Sequence, residues 1–277
     1  MKDFVTYLFS ENNSELAIGL FDVWHFLYLF VIFGGSVLLA LLFKSKSDSS
    51  KQKLLRAMAY VVIGFYIADF FIMPLSDSYN GISYDKLPFH ICTLTGVFVP
   101  FAQFNEKFKR IKTVVVSFAI ASSLMWMCYP GSALGGQPPF SYVIFQTFMY
   151  HGVLFCWGFL NLALGVVELD IRKIWKELCA ILVIMAWAAF GNAIYDNENW
   201  FFINESIFPF LTDEIMPPVV VFCVFGTCFV VYMAYYAIRA IIKKYSRKSL
   251  GREEDVPAAD DNAPDGQEVV YSCINSK

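Results

Sequence analysis

Residues 86–103 read KLPFHICTLTGVFVPFAQ, an apolar segment whose first residues include a proline, a histidine, a cysteine and two threonines. The segment is long enough to enter a membrane, because a spanning helix needs about 20 mostly apolar residues. Polar groups are costly at membrane depth and therefore face protein partners or a water-filled cavity. We expect the other helices of the fold to bring polar residues up to His90.

The composition of the chain indicates a polytopic membrane protein. Of its 277 residues, 57% are hydrophobic and 16% are charged, whereas a soluble domain carries about 25% charged residues. The apolar residues form long runs, which predict an all-α fold with seven transmembrane helices. The predicted helices are 22–43, 54–76, 87–105, 111–129, 140–166, 173–195 and 214–242.

The distribution of lysine and arginine predicts the orientation of these helices. Clusters of basic residues occur in the first, third and fifth connections and after the last helix, and the other connections have at most one. The positive-inside rule then predicts an N-terminus outside or in a lumen and a cytoplasmic C-terminus. Within this topology, residues 1–21 form an outer segment, 22–245 form the membrane domain, and the polar residues 246–277 form a disordered cytoplasmic tail.

Polar residues from five predicted helices fall in the outer half of the membrane. At a rise of 1.5 Å per residue, His151 lies roughly 16 Å below the outer surface and the others lie closer to it. Such residues form either a polar pocket or pairs that only join helices. They are His25, Asp69, His90, His151 and Asn192.

Helical geometry limits the pairs that these residues can form. In a regular helix Thr93 shares a face with His90, whereas Cys92 lies about 200° around the helix from it. Cys92 would therefore need a base from another helix, or it is a buried, unreactive thiol. The candidate catalytic residues are His90, His151, Asp69, Cys92 and Thr93, and the candidate binding residues are His25, Asn192 and Tyr195.

The segment LPFHIC at 87–92 resembles the Leu-Pro-x-His-x-Cys signature of the YwaF-like integral membrane proteins, a bacterial family related to eukaryotic transmembrane protein 164. The resemblance extends to the run PPFSYVIFQTFMYHG at 138–152, which includes His151, and to NAIYDNENWFF at 192–202. It also covers His25 in the first helix and Asp69 in the second.

The resemblance implies a seven-helix enzyme that modifies lipids. In the eukaryotic relative, acyl groups move between phospholipids through a cysteine acyl-enzyme with a histidine beside it. That cysteine directly precedes the histidine of the third helix, and this chain has Phe89 there. His90 and His151 carry over from the family pattern, and the nucleophile does not.

Three functions fit these residues. The first is a membrane lipid acyltransferase or ester hydrolase, in which Asp69 orients His90 or His151 as the base and Cys92, Thr93 or water is the nucleophile. The second is a hydrolase with zinc held by the three histidines and the aspartate. The third is a non-enzymatic seven-helix protein that binds lipid, acts as a receptor or transports a solute.

The first function is the one we predict, in a pocket facing outward or into a lumen. We expect no cofactor and no resident metal. Membrane lipids are the expected partners, and nucleic acid is not one. The expected location is integral and multi-pass, in either the plasma membrane or an endomembrane.

Overall fold

The computed structural model describes residues 18–75, 84–130, 137–195, 198–206 and 211–253. Within these ranges the chain forms seven α-helices joined by turns and short 3₁₀ helices, so the predicted all-α class is confirmed there. The helices are α1 (Val23–Phe43), α2 (Asp48–Ile72), α3 (Ile91–Phe104), α4 (Lys112–Cys128), α5 (Tyr142–Ala163), α6 (Trp175–Ile194) and α7 (Met216–Glu253).

Five of the described helices are long and apolar enough to cross a membrane. They are α1, α2, α5, α6 with the preceding 3₁₀ turn, and α7, and the mean hydropathy of their most apolar windows is 1.4 to 2.5. The protein is therefore an integral, multi-pass membrane protein. The other two helices, α3 and α4, have only 14 and 17 residues. At 1.5 Å per residue α3 extends about 21 Å, which is shorter than a hydrocarbon core of about 30 Å.

Most helix ends lie within three residues of the predicted limits, and the exceptions have local causes. α2 begins at Asp48 rather than 54, because Ser47 caps a polar first segment that hydropathy does not detect. α3 begins at Ile91 rather than 87, since residues 87–90 form a turn. The 3₁₀ turn Met73–Leu75, which contains Pro74, follows α2 and ends it four residues early.

The C-terminal boundary of the membrane domain also differs from the prediction. α7 continues to Glu253, which is beyond the predicted start of the tail at 246. Residues up to Tyr235 form one compact unit, and a second unit begins at Tyr236 with the remaining part of α7. Most of the predicted outer segment and the tail from residue 254 lie outside the described residues.

The most buried long helix is α5, which packs against α1, α2 and α4. In its most apolar window 72% of the residues are buried, compared with 17% to 33% in the other four long helices. Two glycines permit close packing, because a Cβ at Gly152 would lie 2.7 Å from Ile32 and one at Gly158 would lie 2.8 Å from Ile120. Small residues at helix interfaces serve this purpose in membranes. His151 therefore lies in the centre of the helix bundle.

A second apolar cluster joins α4, α6 and α7 to the segment before α3. Phe118, Ile181 and Val224 are among its buried members, and Phe89 and Trp200 pack with them. Trp200 begins a short 3₁₀ turn, Trp200–Phe202, in the connection after α6. This turn and the start of α3 therefore lie together, and both contribute to the candidate site.

Candidate active site

One ring nitrogen of His151 is hydrogen-bonded to its own helix, and the other has no hydrogen-bond partner among the described residues. Nδ1 lies 2.8 Å from the carbonyl oxygen of Thr147. Because a carbonyl only accepts hydrogen bonds, Nδ1 must carry the hydrogen, and the neutral ring then has a lone pair on Nε2. Nε2 is buried without a hydrogen-bond partner among the described residues. This is the protonation pattern that a general base requires.

Aromatic contacts fix the plane of the His151 ring. Trp126 stacks on it with ring centroids 4.2 Å apart and an angle of 9° between the planes. Tyr150 meets it edge to face at 5.3 Å. The ring is 4% exposed in total, so its orientation is determined by packing as well as by the Thr147 bond.

His90 does not lie inside α3 as expected but caps it. Its backbone is extended, with φ −81° and ψ 152°, and the helix begins at the next residue. The backbone N–H of Phe201 donates to Nδ1 of His90 at 3.4 Å, and the ring of Phe202 lies 5.8 Å away. The carbonyl of Cys92, two residues after His90, accepts a hydrogen bond from the hydroxyl of Tyr150, the residue before His151. The two predicted histidines therefore lie next to a contact between α3 and α5.

Asp69 lies with tyrosines from two helices. It is 4% exposed, and Tyr142 donates a hydrogen bond to its Oδ1 at 2.9 Å. Tyr66 is near both Asp69 and Cys92, and Tyr150 is near the same two residues. The sequence predicts that Asp69 orients His90 or His151, and in the structure Nδ1 of His151 is bound by the Thr147 carbonyl.

Cys92 contacts Tyr150 through its backbone. The hydroxyl of Tyr150 donates to the Cys92 carbonyl oxygen at 2.9 Å, and the Cys92 side chain is half-buried. Gly96 permits this contact, since a Cβ at that position would overlap the Tyr150 hydroxyl. Tyr150, the residue before His151, therefore connects α5 to the first turn of α3.

Replacing Gly96 with alanine is expected to break the contact between α3 and α5. The added methyl group has no space beside the Tyr150 hydroxyl, and overpacking of this kind costs about 1–3 kcal/mol. A decrease in melting temperature of purified Gly96→Ala protein would be the readout. Gly64→Ala is the matched control, because nothing lies within 4 Å of a Cβ there. Equal melting temperatures for the two variants would contradict this packing.

Thr93 does not present its hydroxyl hydrogen to an imidazole. Its Oγ1 lies 3.0 Å from the His90 carbonyl oxygen and 3.2 Å from that of Leu87. A hydroxyl has one hydrogen to donate, and here that hydrogen goes to backbone carbonyls. Thr93 therefore closes the turn before α3, and its predicted part as a nucleophile receives no support from this geometry.

His25 is bound at both ring nitrogens within the protein. Nε2 donates to the Met127 carbonyl oxygen at 2.8 Å, and Nδ1 accepts from the Phe21 backbone N–H at 3.1 Å. The side chain is fully buried. His25 therefore connects the start of α1 to the end of α4, and its predicted binding role stays a prediction.

Asn192 holds the turn that contacts His90. Its side chain donates from Nδ2 to the Trp200 carbonyl oxygen at 3.1 Å and accepts from the Trp200 N–H at 2.9 Å. Phe201 and Phe202 then have φ values of 60° and 54°, which cost energy in residues other than glycine. Tyr195 supports the same turn with an edge-to-face contact to Trp200 at 5.5 Å. Asn192 and Tyr195, both predicted as binding residues, thus stabilise the turn Trp200–Phe202.

Phe89, at the position where the resemblance implies a cysteine, is a packed aromatic residue. Its ring lies 4.5 Å from that of Trp200 and 5.0 Å from that of Trp187. A Cβ at Gly191 would lie 2.6 Å from it. Phe89 therefore contributes packing at this position.

The residues that the sequence reasoning overlooked are mainly aromatic. Tyr150 could have been found because it precedes His151, and Tyr66 because it lies one helical turn before Asp69. The sequence gave no comparable reason to single out Tyr142 or Trp126.

In the part of the chain that the structure describes, no group of three or more His, Cys, Asp or Glu side chains could hold a metal ion. The zinc alternative therefore has no geometric support there.

The comparisons with known proteins give one family and no individual relative. No curated protein matches the chain, and no solved structure matches it. The sequence model of the TMEM164 family matches residues 20–237. That range includes all seven helices up to the first half of α7, together with His90, His151 and the turn that contacts His90. The chain therefore belongs to the TMEM164 family.

Proposed function

We propose that this protein is a membrane lipid-modifying enzyme that catalyses phospholipid acyl transfer or ester hydrolysis. The observation that carries the proposal is the buried Nε2 of His151, which has no hydrogen-bond partner among the described residues, while Nδ1 donates to the Thr147 carbonyl. An imidazole fixed in this tautomer can take a proton from an attacking thiol or water. Membership of the TMEM164 family supports a membrane protein of this kind.

The groups around His151 suit a phospholipid ester. In this proposal Lys86 and His90, which lie in the segment before α3, supply positive charge or hydrogen-bond donors to a phosphate or to the oxyanion of an ester intermediate. Cys92 lies near Tyr150, which is in contact with His151. In this proposal His151 removes a proton from Cys92 or from water, and the nucleophile bonds to the acyl carbon. The ester C–O bond then breaks, and His151 returns the proton to the oxygen of the lysophospholipid that leaves.

A covalent label distinguishes the two nucleophiles. If Cys92 is acylated, protein incubated with radiolabelled phospholipid should retain label that hydroxylamine removes, and Cys92→Ala should retain none. Cys179→Ala is the matched control, because Cys179 is an exposed thiol on α6. Equal labelling of the two variants would remove Cys92 from the mechanism and leave water as the nucleophile.

In the proposed topology seven segments cross the membrane, the N-terminus is outside or luminal, and the C-terminus is cytoplasmic. It is supported by the basic residues of alternate connections, as in the run of Lys107, Lys109 and Arg110 between α3 and α4. With this orientation the His90 region faces outward. Protease added to sealed, right-side-out vesicles is expected to spare a tag at the C-terminus, and removal of the tag would contradict the orientation.

A non-enzymatic lipid-binding role is the alternative, and one observation favours it. An apolar groove of about 380 Å³ lies between α6 and α7, with Leu182, Met185 and Phe222 among its lining residues. In a membrane protein such a groove suits a hydrocarbon chain. Binding of phospholipid by wild type without any release of acyl groups would favour this role over the enzymatic one.

A further inference from the structure

The last part of α7, residues 236–252, is strongly basic, and we call it the basic segment. It has six lysine and arginine residues and no aspartate or glutamate. The six are Arg239, Lys243, Lys244, Arg247, Lys248 and Arg252. Within it, all the residues from 236 to 245 are exposed. The positive charge of this part of the helix is therefore accessible to a ligand.

The other three basic clusters of the chain differ from the basic segment, because each contains a carboxylate that pairs with one of its lysines. The pairs are Lys51 with Asp48 at 3.4 Å, Lys109 with Glu106 at 3.7 Å, and Lys173 with Asp170 at 3.2 Å. Since the basic segment contains no carboxylate, it has the highest net positive charge of the four. Among these clusters, it has the strongest attraction for an anionic partner.

The basic segment also has an apolar face. Four apolar side chains recur at the spacing i, i+3, i+4 and i+7, which places them on one side of a helix. They are Ile238, Ile241, Ile242 and Tyr245. Between 53% and 70% of each is exposed. At about 100° per residue, Lys243 and Lys244 lie away from this face. A helix with one apolar and one basic side is typical of contact with a membrane surface.

The length of α7 places these lysines at the level of lipid head groups. The apolar span Met216–Tyr245 has 30 residues, so it extends about 45 Å, or about 42 Å at the usual tilt of about 20°. A bilayer is about 40–45 Å thick when its head groups are included. The span therefore reaches from one head-group layer to the other, and Lys243 and Lys244 lie near its end.

The acidic stretch that follows in the chain is the competing source of negative charge. Residues 253–268 include seven aspartates and glutamates, and Val256 is the only valine, isoleucine, leucine, methionine or aromatic residue among them. Such a stretch can neutralise lysines, but it has little apolar surface to cover the isoleucine face. A phospholipid supplies both a negative phosphate and hydrocarbon, so it suits both sides of the basic segment.

We propose that the basic segment of α7 is a binding site for anionic phospholipids of the cytoplasmic leaflet. Their head groups lie against Lys243 and Lys244, and their acyl chains lie against Ile238 and Ile242. The choice of leaflet rests on the proposed orientation. Clusters of four to eight basic residues directly after a membrane span bind anionic lipids in this way.

The test uses the full chain in phosphatidylcholine nanodiscs that contain a trace of spin-labelled phosphatidylserine or spin-labelled phosphatidylcholine. Electron paramagnetic resonance measures the fraction of each label that the protein immobilises. Wild type should favour the serine lipid about fivefold, the factor that about 1 kcal/mol of attraction per basic residue gives. Because the charges are exposed, 1 M salt should reduce this preference. Equal association of the two lipids with wild type would overturn the proposal.

A matched pair of double variants locates the site. Lys243→Gln with Lys244→Gln should reduce the preference to less than about twofold. Lys107→Gln with Lys109→Gln removes the same charge from exposed residues between α3 and α4, and it should retain most of the preference. A wild-type preference in the α7 variant would overturn the proposal. Poor folding of that variant would not prevent the test, because the wild-type comparison decides it alone.

A third variant tests the competing partner within the chain. Full-length protein with Glu253→Gln, Glu254→Gln and Asp255→Asn should keep the wild-type preference. A several-fold increase would show that the acidic stretch occupies the basic segment in the intact chain, and it would contradict the proposal. Both leaflets of a nanodisc have the same composition and the assay needs no turnover. Its failure is therefore distinct from a failure of the proposed activity or orientation.

Discussion

Replacement of His151 by phenylalanine is expected to reduce acyl release from phospholipid about 10²–10⁴-fold, the usual contribution of a general base. Phenylalanine preserves the stack on Trp126 but has no nitrogen to accept a proton. The folded structure should survive, because the substitution removes only the hydrogen bond to the Thr147 carbonyl, a loss of about 1 kcal/mol. The measurement is the initial rate in liposomes together with the melting temperature.

The control for this prediction is Cys179→Ala, a change at an exposed residue of α6. It should match wild type in both rate and melting temperature. A His151→Phe protein that melts near wild type and releases acyl groups within about twofold of the wild-type rate would show that His151 is not the base. A fall in rate that only follows a fall in melting temperature would also contradict the assignment.

Replacement of Asn192 by alanine is expected to destabilise the fold by about 2–4 kcal/mol. The change leaves the N–H and the carbonyl of the fully buried Trp200 without their side-chain partner, and each such group costs about 1–3 kcal/mol. The turn would then lose the contact that holds Phe201 and Phe202 at positive φ. Chemical denaturation of the purified protein measures the loss.

Asn105→Ala provides the comparison, since Asn105 makes one exposed side-chain bond, to the Lys107 N–H at 2.9 Å. It should cost about 1 kcal/mol or less. Because the turn also contacts His90, Asn192→Ala should lower activity in the fraction that remains folded. Equal stability of the two variants would contradict the role of Asn192 in holding the turn.

Hydropathy predicts where this chain forms helices, because each apolar segment must satisfy its backbone groups internally in a membrane. It does not detect the polar first turns of α2, whose start is determined by the Ser47 cap. The start of α3 was also displaced, since the turn at 87–90 has the same apolar composition as a helix. Orientation depends on charges outside the helices, and it stays a prediction.

The candidate site could be predicted only in part. The sequence singles out His90 and His151 because histidines are few and lie in apolar segments. It could not show that His25 is bound by the Met127 carbonyl, because that partner is a backbone group 102 residues away. The sequence also could not show that Nδ1 of His151 donates to the Thr147 carbonyl rather than to Asp69, because that depends on side-chain orientation.

The most direct test of the proposed function compares wild type, His90→Ala and His151→Ala in liposomes that contain phospholipid with a labelled acyl chain. Wild type should release or transfer the labelled chain faster than empty liposomes do. Both variants should be impaired, and His151→Ala should be the more strongly impaired because Nε2 of His151 has no hydrogen-bond partner in the described ranges. Acyl release at the wild-type rate by both variants would contradict an active site centred on these histidines.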